Sequence, residues 1–145
     1  MREALEEAQK AYKKGEIPVG AVVVVDGKIV AKAHNQKETI PDPTAHAEIL
    51  AIRQASEKLG RWRLTDAVLY ITKEPCIMCS GAIIHARIKR VVYGCDDQKA
   101  GGAVSLYNIL QDKRLNHQVE LVRGILEDEC REILKRFFQQ LRENQ

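Results

Sequence analysis

The stretch Val19-Gly20-Ala21-Val22-Val23-Val24-Val25-Asp26-Gly27-Lys28-Ile29-Val30-Ala31-Lys32-Ala33-His34 sets the architecture. Val19 to Val25 is a short continuous run rich in β-branched residues, which is how a buried strand reads. Asp26-Gly27 is a two-residue turn signal, and Lys28 to His34 alternates beyond it, so the pattern predicts an antiparallel hairpin. Upstream, Ala4-Leu5, Ala8 and Ala11-Tyr12 recur at helical spacing, Gly15 stops that helix, and Pro18 redirects the chain into the first strand. Downstream, Asn35 to Thr44 is a polar loop with Pro41 and Pro43. A helix is then expected from an N-cap at Thr44 to about Leu59, before Gly60, with Ala47, Leu50, Ala51 and Ala55 on its apolar face. Further strands are expected at Val68–Ile71, Val91–Tyr93 and Val119–Val122, and further helices at Cys76–Ala86, Val104–Leu110 and Asp128–Leu141.

Strands that alternate with helices after a first hairpin join as parallel neighbours and carry helices on both faces. The expected fold is therefore α/β, a three-layer α/β/α domain over residues 1–145 with a five-stranded mixed sheet and an N-terminal antiparallel hairpin. A chain of 145 residues fits one domain. Its 45% hydrophobic and 30% charged content excludes collagen-like, low-complexity and disordered classes. No apolar run approaches the ~20 residues a bilayer needs, and Met1 to Glu7 lacks the greasy stretch of a secretion signal, so a cytoplasmic protein without a membrane partner is expected. Four cysteines in such a compartment point to metal or thiol chemistry rather than to a disulfide framework. A net charge of +3 permits an anionic partner without demanding one.

Two clusters carry chemistry: Ala45-His46-Ala47-Glu48 at the start of the second helix, and Glu74-Pro75-Cys76-Ile77-Met78-Cys79 where the third strand hands over to the third helix. Cys76 and Cys79 are three apart, so on a helix they share a face, and a helix N-terminus favours their thiolates. One imidazole and two thiolates make the three-ligand count of a catalytic zinc site with its fourth position open to water. Cys95 and Cys130 lack ligand-like spacing and read as ordinary buried thiols. A Cys-x-x-Cys at a strand-to-helix junction also fits a thioredoxin-like redox pair. His46 and Glu48 move the balance toward metal, because a redox pair needs neither. Residues two apart on an ideal helix point nearly opposite ways, so His46 and Glu48 can share a site only if the first turn is irregular. Asn35 offers donor and acceptor to a purine edge and fits an Asx turn at a strand end as well. His34, His85 and His117 have no spaced partner for a second metal site and read as surface or packing residues.

His-x-Glu followed by Pro-Cys-x-x-Cys is the pattern of zinc-dependent nucleobase deaminases. On Gly15-Glu16-Ile17-Pro18-Val19-Gly20-Ala21, Asp42-Pro43-Thr44-Ala45-His46-Ala47-Glu48, Glu74-Pro75-Cys76-Ile77-Met78-Cys79, Leu115-Asn116-His117 and Phe137-Phe138, the chain closely resembles the bacterial tRNA-specific adenosine deaminases, a branch of the cytidine deaminase superfamily. The resemblance implies zinc, one ion per subunit, on His46, Cys76 and Cys79, with Glu48 as the catalytic proton shuttle. It implies substrate contacts at Asn35 and Ile17, and contacts of Phe138 and Arg142 with a tRNA anticodon stem-loop; those two lie four apart on the last helix. It implies hydrolysis of the wobble adenosine to inosine, an arginine tRNA as substrate, a homodimer, and no DNA as natural substrate. A sister deaminase acting on a free base or nucleotide such as guanine, cytosine or deoxycytidylate shares the zinc motif and is the alternative. Lys73 stands where the family usually has a hydrophobic residue, and Phe137 is expected in the core.

Overall fold

In the computed structural model, which describes residues 1–144, α1 (Arg2–Lys13) packs across a hairpin of β1 (Gly20–Val25) and β2 (Lys28–His34). The turn between them has Asp26 at φ 51° and Gly27 at φ 73°, the two positive φ values that match the twist of paired strands. The register slips between Val23 and Val24, so that Val23 faces Ala31 while Val24 faces Ile29, a bulge at Val30. Gly20 is where α1 comes closest: a Cβ there would lie 1.9 Å from the Ala4 carbonyl oxygen.

The chain continues through α2 (Ala47–Leu59), β3 (Ala67–Lys73), α3 (Ile77–Ala86), β4 (Arg90–Cys95), β5 (Glu120–Arg123) and α4 (Glu127–Glu143). The sheet runs β2-β1-β3-β4-β5, with β1 antiparallel to both neighbours and β3, β4 and β5 parallel. α1 and α4 pack together against it, and α2 packs against it with α3 alongside, whose Ile83 and Ile84 join the same core, giving the three layers expected. Val23, Leu69, Ile71, Val91 and Tyr93 fill the sheet interior with no exposed surface, and Ala47, Ala51 and Ala55 lay the small face of α2 on it. No described helix is long and apolar enough to cross a membrane.

Three expectations are corrected. α2 begins at Ala47, with His46 as its N-cap, and not at Thr44. Asp42 Oδ1 accepts both the Thr44 N–H and the Thr44 hydroxyl, at 2.8 and 2.7 Å, and so draws Thr44 into a Pro43 turn instead. Val104–Leu110 is a set of turns and not a helix, so the β4–β5 crossover has no regular element. The N–H groups of Leu106 and Tyr107 both go to the Gly101 carbonyl and that of Ile109 to the Gly102 carbonyl, five to seven residues back where a helix would pair four back. Phe137 is half-buried and packs edge-on against Tyr12, 5.9 Å between ring centroids, outside the core cluster.

Candidate active site

The carboxyl ends of β3 and β4 and the start of β1 lie at one end of the sheet, where α2 and α3 also begin. His46 and Cys76 are the N-caps of these two helices, both in extended backbone conformation. Because His46 stands outside the helix, its ring is freed from helical spacing, and it meets the sulfurs on the same side as Glu48 opens the first turn. The two helix starts aim their positive ends at the same point, which favours anionic sulfur there.

His46 Nδ1 lies 3.6 Å from Cys76 Sγ and 3.4 Å from Cys79 Sγ, and the three donor atoms are within 4.8 Å of one another. A tetrahedral zinc at ordinary Zn–N and Zn–S lengths would hold nitrogen and sulfur about 3.5 Å apart, so the donor set fits that ion. Among the described residues, this is the one group of His, Cys, Asp and Glu side chains close enough to share a metal. The charges argue the same way. Hydrogen bonding from Cys79, outweighing burial, and then from His46 pulls the Cys76 thiol down to about 4. Its bond to that thiolate, then burial and nearby Glu48, push Cys79 far above the usual range. The Cys76 contact raises His46, and burial raises Glu48. Two thiolates and a carboxylate can all be ionised here only around a cation.

Cys95 and Cys130 stay out of the group. Burial pushes their thiols up to about 11 and about 12; Cys95 faces the Thr72 carbonyl, and Cys130 fills the space a Cβ on Gly94 would need. Of the other histidines, His34 is buried between Glu7 and Lys14, His117 lies 2.7 Å from the Ile88 carbonyl oxygen, and His85 is exposed.

Beside the donor set opens a small cavity of about 110 Å³ with its mouth to solvent. Ile17, Asn35, Glu48, Lys37, Lys73 and Asp97 line it together with two of the donor residues. Asn35 Nδ2 donates to the Ile17 carbonyl at 3.3 Å while its Oδ1 accepts the Lys37 N–H at 3.4 Å, so the Asx-turn geometry and the cavity position occur together. Phe138 and Arg142 lie on exposed turns of α4 and do not line the cavity.

Two buried carboxylates hold this end together, and neither residue type nor periodicity set them apart from surface glutamates. Glu16, 1% exposed, accepts the N–H groups of Glu38 and Thr39 and so pins the loop leading to His46. Glu74, 2% exposed, accepts N–H groups from Asp97, Ala103, Val104 and Ser105 and the Ser105 hydroxyl. Burial alone would raise Glu74, but the Ser105 hydroxyl and these N–H groups hold it below the usual carboxylate range. Gly101 belongs to the same arrangement, since a Cβ there would fall 2.4 Å from the Glu74 carboxyl group.

The chain matches the MafB19-like deaminase family over residues 1–142. It is 51% identical over 142 residues to the tRNA-specific adenosine deaminase of Bacillus subtilis, covering 98% of this chain and 88% of that one. A solved structure of a tRNA:A34 deaminase that performs A-to-I editing at the wobble position superposes with a TM-score of 0.89 at 44% identity, covering 92% of this chain and 96% of that one. The guanine deaminase of Bacillus subtilis superposes over 66% of this chain and 61% of its own, with 46% identity and a TM-score of 0.63.

Proposed function

We propose that this chain, which belongs to the tRNA-specific adenosine deaminases, converts the wobble adenosine of a tRNA anticodon, that of an arginine tRNA, to inosine by zinc-dependent hydrolysis. The observation that carries the zinc chemistry is the His46, Cys76 and Cys79 donor set at zinc spacing with buried Glu48 beside it on the cavity wall. Bound there, one zinc ion per subunit supplies Lewis-acid activation of a water molecule. Glu48 takes the proton that this water loses as its oxygen bonds to C6 of adenine. It passes that proton to the ring nitrogen next to C6, then takes the remaining proton from the hydroxyl now on C6 and gives it to the amino group, so that the C–N bond breaks, ammonia leaves and a C6 carbonyl is left. Burial, which raises the Glu48 carboxyl above its usual range, suits a group that must hold a proton between steps.

Asn35 orients the base. Its bond to the Ile17 carbonyl fixes the amide plane and leaves a second N–H for a purine edge, while Ile17 supplies an apolar wall. An adenosine must leave its stack to enter, which costs least in an unpaired loop. Phe138 and Arg142, exposed on one side of α4, are the proposed contacts to the anticodon stem. A homodimer is the proposed assembly: Ile77, Leu106 and Tyr107 expose more than half their surface on two segments joined by the Cys76–Gly101 bridge, an apolar patch beside the site. The substrate implies a cytoplasmic setting.

The test offers purified protein an anticodon stem-loop and, separately, free adenine, guanine and cytosine, following ammonia and inosine, with metal content measured on the same sample. Inosine from the loop and about one zinc per chain are expected. Ammonia from a free base alone overturns the tRNA reading in favour of a nucleobase deaminase. A Cys76–Cys79 disulfide that cycles without metal overturns the zinc reading.

A further inference from the structure

Two cations stand on the cavity wall that the deamination chemistry does not use. Lys37 sits on the loop between β2 and α2; its backbone is held at both ends, N–H to Asn35 and carbonyl to the Asp42 N–H, and its ammonium makes no ion pair among the described residues. Lys73 is the last residue of β3, on a different wall, with Nζ 3.0 Å from Asp97 Oδ2. Asp97 is itself fixed. Its Oδ1 accepts the N–H groups of Lys99 and Ala100, at 3.1 and 3.2 Å, and its own N–H is bonded to Glu74. The Lys73 ammonium is therefore tethered at the cavity with donors to spare.

We infer that Lys37 and Lys73 form a cationic rim that binds the phosphodiesters on either side of the reacting nucleotide, and so make the site select a nucleotide within a strand over a free base. This rests on the RNA reading above. Glu48 and Cys79 are buried whereas Lys37 and Lys73 are half-buried, so a base that reaches the donor set leaves its ribose and flanking phosphates toward the two lysines. A free base brings no anion to that rim, whereas a strand brings one on each side. Lys37 has no ion-pair partner among the described residues, and Lys73, although paired with Asp97 Oδ2 at 3.0 Å, keeps two further N–H donors for a phosphate oxygen.

The experiment measures binding of the zinc-loaded protein to an anticodon stem-loop carrying the product inosine at the wobble position, between 0.05 and 1 M salt. One phosphate contact to a single strand contributes about 0.7 to the slope of log affinity against log salt. Lys37→Gln and Lys73→Gln are each expected to lower that slope by about 0.7, which is about a five-fold loss at 0.1 M salt relative to 1 M. The double variant should lose about 1.4 in slope, and Lys37→Arg and Lys73→Arg should restore it. Lys89→Gln, at the far end of the sheet before β4, should leave the slope unchanged. A wild-type slope in both Gln variants overturns the inference while leaving the tRNA reading standing. So does a slope loss at Lys73 that Arg does not restore and that follows thermal stability, which would make the Asp97 pair structural only. Failure of the wild-type protein to bind the loop, with turnover of a free base, overturns both.

Discussion

Replacing Glu74 by Gln removes one charge and almost no volume, and so isolates the carboxylate's role in holding the 97–105 turns onto the segment that carries Cys76. Oε2 accepts the N–H groups of Ala103, Val104 and Ser105 at 3.1, 2.7 and 2.9 Å, and Oε1 accepts the Asp97 N–H at 3.0 Å and the Ser105 hydroxyl. A glutamine oriented with its oxygen at Oε2 keeps three of these bonds as neutral ones, losing about 1 kcal/mol each. Its amide nitrogen then faces the Asp97 N–H, leaving a buried donor unpaired at a cost of about 1–3 kcal/mol. Against this stands the relief of no longer burying a charge, several kcal/mol in the opposite sense. Losses of about 4–6 kcal/mol set against about 3 kcal/mol of relief leave a net loss of about 1–3 kcal/mol, a sizeable part of the ~5–15 kcal/mol that holds a domain folded.

Urea unfolding at one fixed zinc concentration reads this directly: the midpoint should fall with the slope unchanged. The acid side supplies a second readout. Because the folded Glu74 titrates below its ordinary value, its stabilisation is complete above the unfolded pKa of about 4.5 and fades as pH falls through the folded one. The difference between wild type and variant should therefore shrink as pH is lowered from 6 to below 4. A variant within about 0.5 kcal/mol of wild type at pH 7 would refute the claim that these bonds organise the site.

Glu48→Ala should retain zinc and the fold while turnover falls at least about 100-fold, read by inosine release and metal content; a variant that sheds its metal contradicts the assigned role. Cys79→Ser should lower metal content and activity together, and full zinc occupancy in it would remove Cys79 from the ligand set. Gly20→Ala places a Cβ 1.9 Å from the Ala4 carbonyl oxygen, so α1 must move; a loss of about 2 kcal/mol, or roughly 6 °C in Tm, is expected, and an unchanged melting curve would contradict the close packing. Sedimentation of Tyr107→Glu, which charges the exposed apolar patch, should show monomer where wild type shows dimer; equal masses would place the interface elsewhere.

Local pattern was enough for the first helix and the hairpin, though it also suggested a helix at Val104–Leu110 where the chain forms turns. The Asp26-Gly27 turn, the β-branched run before it and the helical spacing of Ala4, Ala8 and Ala11 each depend on neighbours a few residues away, and each element lies where that pattern puts it. The His46, Cys76 and Cys79 group was legible for another reason: metal chemistry restricts residue type so tightly that type and order suffice. What misled was capping chemistry. Thr44 is a good N-cap, but Asp42 two residues earlier accepts its N–H and its hydroxyl and holds it in an Asx turn, and the helix start moves on to His46. That shift also removes the difficulty of His46 and Glu48 standing two apart, because only Glu48 is inside the helix.

The site is built mainly on backbone that is neither helix nor strand, and such backbone must find partners for its N–H groups elsewhere. Loop 36–45 and turns 97–105 do so at carboxylates 22 to 31 residues away in sequence, Glu16 for the first and Glu74 for the second. Burying a carboxylate costs several kcal/mol, which is offset only because each accepts three or more hydrogen bonds. A glutamate in a loop looks the same in sequence whether it faces water or gathers a turn, so no periodicity could reveal these two. The consequence is mechanical. His46 and Cys76 are anchored by their helices on one side and by a buried charge on the other, and a metal held between them needs both supports. Neutralising either glutamate should therefore loosen zinc before it unfolds the sheet.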